Sequence, residues 1–264
     1  MCLIISNPQG VELPEIRLRT AYRNNRDGVG FMWHENGEVY SERGLFTLDE
    51  ALRFQQMLIG KPHSIHFRLR TRGKVNEDSC HPFRVLNRRD HGFDLYMMHN
   101  GTIPGVPDSP TESDSMIFAR SLRAKLGTWE NPMDFFEPAV LQKLGSNIGN
   151  NNRMVFYATG GISCIVNAKT GWFECPEEGA LEIDTLDGTE TPVWYSNQYS
   201  FRGLDPDTWY KTPLSFAPPV VKAEPMVEIK VETKSVTTYT PSAYPVVVRR
   251  NNGVITSVAY RNVG

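Results

Sequence analysis

Residues 1–6, MCLIIS, set a thiol at Cys2 directly ahead of the apolar run Leu3-Ile4-Ile5. Taken alone, the stretch reads as the start of a covered strand, because free cysteine packs as a small hydrophobe and the run behind it is unbroken. Whether Cys2 is packing or chemistry depends on what the rest of the chain supplies.

Further strands follow quickly. Residues 28–44, GVGFMWHENGEVYSERG, alternate around Glu35-Asn36-Gly37, and an Asn-Gly between alternating apolar residues predicts a tight hairpin. SIHFRLRTRG (64–73) and FDLYMMHNG (93–101) are strand-like with turn residues at their ends. Helices are expected from their caps. In TLDEALRFQQMLIG (47–60), Thr47 is the N-cap, Glu50 its capping-box partner and Gly60 the stop. In TESDSMIFARSLRAKLG (111–127), Ser113 or Asp114 caps, Phe118 and Leu122 share a face and Gly127 ends the helix. A third helix is expected at PAVLQKLG from Pro138, and then more strands in 153–175 and in VWYSNQYSF (193–201). Helices inserted between strands without βαβ alternation favour an α+β layered fold with antiparallel sheets.

The composition changes near residue 211. Residues 211–245 are rich in Pro, Val, Thr and Lys and lack periodicity, which predicts a linker after a domain over 2–210. Residues 246–264 hold two β-branched runs about Asn252-Gly253, a hairpin too small to stand alone. With 28 basic and 30 acidic residues and a net charge of -2, the chain has no electrostatic footprint for nucleic acid or an anionic membrane. No apolar run approaches the roughly 20 residues of a bilayer span, and no signal-peptide pattern opens the chain, so a cytoplasmic protein is expected. Cys2, Cys80, Cys164 and Cys175 have no CxxC spacing and read as separate thiols rather than a disulfide framework or a metal site.

Polar islands interrupt the strands: NNRDGVG, HFRLRTRG with CHPF after it, HNG, and ESD at a helix start. Singly, Asp27-Gly28 is a turn, Arg68, Arg70 and Arg72 are one face of a strand, and His99-Asn100-Gly101 is a hairpin end. Their ordered combination carries more. Cys2, then Asp27–Gly30 (DGVG), His66–Gly73 (H-x-R-x-x-T-x-G) with His81-Pro82-Phe83, His99–Gly101 (HNG) and Ser113–Ser115 (SDS) resembles the glutaminase domain of class II glutamine amidotransferases, of the N-terminal-nucleophile hydrolase superfamily. The resemblance covers about residues 2 to 200. The chain differs from that pattern at Leu3, Leu69 and Met116, where Gly, Trp and Glu are frequent.

The resemblance implies a four-layer αββα sandwich of two antiparallel sheets. It also implies a nucleophilic Cys2, Asn100 and Gly101 as oxyanion donors, Arg68 and Asp114 as partners of the substrate carboxylate and ammonium, and Thr71 beside the substrate. Neither cofactor nor metal is called for. Elementary chemistry is compatible with each role. With Met1 removed, Cys2 carries thiol and α-amine together, and an amine with a pKa of about 7.7 to 8.0 serves as base near neutral pH far better than Lys at about 10.4. Asn100 has an amide N–H, Gly101 permits close backbone approach, and Arg68 can grip a carboxylate bidentately. The expected activity is hydrolysis of the glutamine side-chain amide through a Cys2 thioester, with ammonia passed to a separate acceptor synthase. The alternatives are an amidohydrolase of another γ-glutamyl or amide substrate, a Cys-His dyad using His66, His81 or His99, and a non-catalytic glutamine sensor or scaffold.

Overall fold

In the computed structural model, the run behind Cys2 forms β1 (Leu3–Asn7). It is followed by α1 (Glu15–Asn24), β2 (Val29–Glu35), β3 (Glu38–Leu45), α2 (Leu48–Met57), β4 (His63–Phe67) and β5 (Phe83–Leu86). Then come α3 (Arg88–His91), β6 (Leu95–Asn100), α4 (Asp114–Leu126), α5 (Pro138–Ile148), β7 (Arg153–Ala158), β8 (Ile162–Val166), β9 (Trp172–Glu174) and β10 (Val193–Tyr195). A separate pair, β11 (Val246–Asn251) with β12 (Val254–Tyr260), is antiparallel. The structure describes residues 2–70, 74–174, 193–200, 202–203, 246–251 and 254–260. The expectations for Thr71, Arg72, Gly73, Cys175, the turn Asn252-Gly253 and the linker 211–245 lie outside them.

Two antiparallel sheets carry the fold, one ordered β3-β2-β4-β1-β10-β9 and the other β5-β6-β7-β8. Alternation along the strands assigns each residue to a layer. Leu3 and Ile5 of β1, with Ile65 and Phe67 of β4, pack against Leu18 and Ala21 of α1 and Ala51 of α2. Ile4 and Met32 face the other way and meet Met98, Val155 and Tyr157 of the second sheet. Leu95 and Met97 of β6, with Met154 and Phe156 of β7, turn outward to Ala119 and Leu122 of α4 and Ile148 of α5. Helices, sheet, sheet, helices: the fold is the four-layer αββα sandwich.

Local signals account for most elements. Asn36 and Gly37 take φ of 53° and 79°, the positive pair that a tight β2–β3 turn needs. The Thr47 hydroxyl accepts the Glu50 N–H at 3.2 Å, while a Glu50 oxygen accepts the Thr47 N–H at 2.9 Å, completing the α2 capping box. Ser113 caps α4, accepting the Met116 N–H at 3.3 Å. Helix α1 is not anticipated by the caps used above, because Pro14 stands at its N-cap position without a side-chain cap. Its signals are Glu15 in the first turn and an apolar stripe reduced to Leu18 and Ala21.

Candidate active site

The site is built where strand ends from both sheets meet. Register fixes the first sheet: Leu3 pairs with Phe67 and Ile4 with His66, so one further step sets Cys2 opposite Arg68. By alternation Cys2 follows Ile4, and Arg68 follows His66, onto the side facing the second sheet. On β6 the same rule sends Met98 and Asn100 toward the first sheet and His99 away from it. His99 accordingly meets the Ser115 hydroxyl of α4 at 2.7 Å and the Asn152 side chain at 2.9 Å, whereas Asn100 meets Ser196 beyond β10.

Cys2 keeps part of its surface open. Its thiol donates to the Leu69 carbonyl at 3.6 Å, and burial pushes its pKa up, opposed by that hydrogen bond and by the positive charge of Arg68. Asp114 also acts on it, in the raising direction. One cation and one carboxylate therefore sit within electrostatic reach of the thiol. Arg68 is 4% exposed, and its guanidinium donates to the Lys74 carbonyl at 2.7 Å. Asp114 opens α4. One of its oxygens accepts the Ile103 N–H at 2.8 Å, and the other accepts the Ser115 N–H at 2.8 Å and the Ser115 hydroxyl at 3.4 Å, which leaves a lone pair on the oxygen bonded to Ile103.

Glycines make the close approaches. Gly101 has φ of +139°, and a Cβ there would stand 2.3 Å from Asn152 Oδ1. A Cβ on Gly30 would lie 1.8 Å from the His81 carbonyl, so the DGVG stretch holds β2 against the CHPF segment. Asp27 accepts the Arg70 N–H at 2.7 Å, and Arg68 N–H donates to the Gly28 carbonyl at 2.9 Å. DGVG thus buttresses the strand end that carries Arg68.

The histidines are set differently. His66 packs against His81 in a tilted arrangement with ring centroids 4.0 Å apart, and its Nε2 lies 3.2 Å from the His99 carbonyl. Burial, aided by Arg68, holds His66 down to about 3, and burial pushes His81 and His99 below the usual imidazole range as well. All three are neutral near pH 7. Among the described residues, the hydrogen-bond partner of the Cys2 thiol is a carbonyl and not a ring nitrogen.

Sequence patterns did not single out Ser196 and Asn197. Asn197 donates Nδ2 to the Cys2 carbonyl at 2.6 Å. It also lines a cavity of about 450 Å³ with Trp172, Gln198, Tyr199 and Arg202. Their only sequence-level signal is a polar pair directly after an apolar strand.

Comparison with known proteins bears on the fold. No protein-family model matches the chain. An amidophosphoribosyltransferase of Staphylococcus aureus (strain COL) is 29% identical over 128 residues, 47% of this chain and 22% of the relative. A solved structure described as the allosteric regulatory enzyme of purine biosynthesis superposes with a TM-score of 0.50 at 12% identity, over 76% of this chain and 43% of that one. Glutamine phosphoribosylpyrophosphate amidotransferase from B. subtilis, solved with ADP and GMP, gives a TM-score of 0.45 at 12% identity over the same shares. The chain thus spans less than half the length of these three relatives.

The layered fold is shared with the allosteric regulatory enzyme of purine biosynthesis. In fold and over 128 residues of sequence, the chain is thus similar to that regulatory enzyme of purine biosynthesis and to the amidophosphoribosyltransferase. No helix among the described residues is long and apolar enough to cross a membrane.

Proposed function

We propose that this chain hydrolyses the side-chain amide of L-glutamine through a thioester on Cys2 and hands the ammonia to a separate acceptor enzyme. What supports the reading is the β1–β4 register, which sets Cys2 opposite Arg68, together with the opposite charges of Arg68 and Asp114 that both act on the thiol. Free glutamine presents a carboxylate and an ammonium at one carbon, and a pocket selective for it needs one fixed charge of each sign. Arg68 takes the carboxylate and Asp114 the ammonium. Thr71, outside the described residues, is assigned to the substrate by resemblance alone.

Burial raises the thiol pKa, so little thiolate exists before substrate binds and a base is required. Removal of Met1 supplies it as the α-amine of Cys2. That amine takes the thiol proton while sulfur attacks the amide carbon. Negative charge gathers on the carbonyl oxygen, where the Asn100 side-chain amide and the Gly101 N–H donate to it. The protonated amine then returns its proton to the leaving nitrogen, ammonia departs, and the thioester remains. Water, deprotonated by the same amine, attacks the thioester carbon. Glutamate leaves and the thiol regains its proton. The histidines take no part: burial depresses their basicity, the Cys2 thiol is bonded to a carbonyl, and both nitrogens of His99 are occupied by Ser115 and Asn152.

Incubation with an electrophilic glutamine analogue, followed by peptide mapping, tests the nucleophile, and the label is expected on Cys2 alone. Intact mass measured beside a glutaminase assay tests the base, with activity expected only in chains lacking Met1. Retention of Met1 shifts the free amine one residue, about 3.8 Å, away. Full activity with Met1 in place would falsify the amine mechanism.

A further inference from the structure

Ser196 follows β10 directly and is 1% exposed. Its Oγ accepts the Ile4 N–H at 2.8 Å and the Nδ2 of Asn100 at 2.8 Å. Ile4 belongs to β1 in the first sheet and Asn100 to β6 in the second. One hydroxyl oxygen thus spans the two sheets two residues from Cys2. The Ser196 N–H also donates to the Ile4 carbonyl at 2.9 Å, so Ser196 is held on both sides against β1. Its neighbour Asn197 grips the Cys2 carbonyl and accepts the Tyr199 N–H at 3.0 Å. The other atom of the Asn100 amide, Oδ1, is buried without a partner among the described residues.

We propose that Ser196 is a positioning residue that fixes the Asn100 amide relative to the strand carrying Cys2. The inference rests on the proposed glutamine hydrolysis and identifies what sets the spacing between its nucleophile and its oxyanion donor. Sheets packed face to face share side-chain contacts and no ladder hydrogen bonds, so neither backbone fixes the distance from a residue of one to a residue of the other. A terminal amide also turns broadly about χ2 unless something holds it. An oxyanion donor acts through pre-aiming, and a donor free to turn loses that advantage. Ser196 supplies both constraints at once. It is anchored to β1 by two hydrogen bonds, and the Asn100 amide is tied to it by a third.

The test is a double-mutant cycle on the full processed chain, with Ser196→Ala and Asn100→Ala made separately and together. Ser196→Ala is expected to lower kcat by about 10-fold or more with KM for glutamine within about two-fold, because aiming matters in the transition state. Once Asn100 is Ala, the same change is expected to cost less than about two-fold, the signature of a residue acting through its partner. Ser196→Thr, which keeps the oxygen, should recover most of the turnover. Equal losses in both backgrounds, or wild-type turnover in Ser196→Ala, overturn the inference. Hydrogen exchange of the Ile4 amide separates this from failure of the underlying reading. Lost protection in Ser196→Ala, in a chain whose wild type does not hydrolyse glutamine, upholds the bridge and removes the glutamine chemistry. Unchanged protection overturns the bridge whatever the kinetics.

Discussion

Cys2 and the histidine group of His66, His81 and His99 are neighbours in the sandwich, and the fold treats them in opposite ways. The histidines are the side chains whose ordinary pKa suits acid–base work near neutrality. Here they are buried, packed ring against ring or hydrogen-bonded, and held uncharged. The thiol, which burial alone would leave inert, stays partly open beside a cation and a carboxylate. Residue type therefore does not assign the role; the surroundings do. The histidines are packed as neutral rings, and the charges that act on the thiol come from an arginine and an aspartate on different layers.

The sharpest way to break this division is to exchange roles by mutation. Cys2→Ala is expected to lower glutamine hydrolysis by on the order of 10⁴ or more with the melting temperature unchanged, since the nucleophile has no substitute. His81→Leu removes two buried ring nitrogens that have no partner among the described residues and should leave kcat within a few-fold. A folded but inactive His81→Leu protein would revive the dyad and end the contrast.

Next in size is Asn100→Asp, which withdraws a donor and places a carboxylate against developing negative charge. Turnover should fall by about 100- to 1,000-fold, with glutamine binding measured by calorimetry retained. Arg68→Lys keeps the charge and loses the fork, so KM should rise on the order of 10-fold with a smaller change in kcat. Normal glutamine binding in that variant would move the carboxylate partner elsewhere.

The smallest effect, counted per residue, concerns acid. His63 is held at about 4 and His66 at about 3, both by burial, against an ordinary value of 6.5. Between those values and 6.5 the unfolded chain binds protons that the folded chain refuses. The stability is thus complete above about pH 6.5 and is lost as pH falls, by up to about 1.4 kcal/mol per unit for each such histidine. Urea unfolding at pH 7, 6 and 5 should show this slope, and His66→Leu should make it shallower. A flat profile would mean that the histidines are not held neutral.

The legible parts of the molecule were those specified locally. The β2–β3 turn, the Thr47 and Ser113 caps and the α5 start at Pro138 each depend on residues within four positions of one another. Helix α1 escaped because its inward face includes Arg17, buried at 2% exposure, so charge and burial coincide where a pattern search expects them to separate. For the candidate site, Cys2, Arg68, Asn100 and Asp114 could be picked out as an ordered set. Ser196 and Asn197 could not, since the partners that tie them to Asn100, Ile4 and Cys2 lie 96 to 195 residues away. Buttressing by Gly30 was equally invisible: a glycine in a turn and a glycine under a carbonyl look the same in sequence.

Strand β1 lies between β4 and β10, and that placement has a consequence in time. Its β4 neighbour is synthesised early, but Ile4 and Ser196 are 192 residues apart. At about 5 to 20 residues per second, the ribosome needs about 10 to 40 s to make that interval. Throughout it, the strand behind Cys2 has at most one flank covered, and neither the Ser196 bridge nor the Asn197 grip exists. Closing the second flank of β1 is therefore the late step in assembling the strand behind Cys2, and the contacts that Ser196 and Asn197 make there come with it.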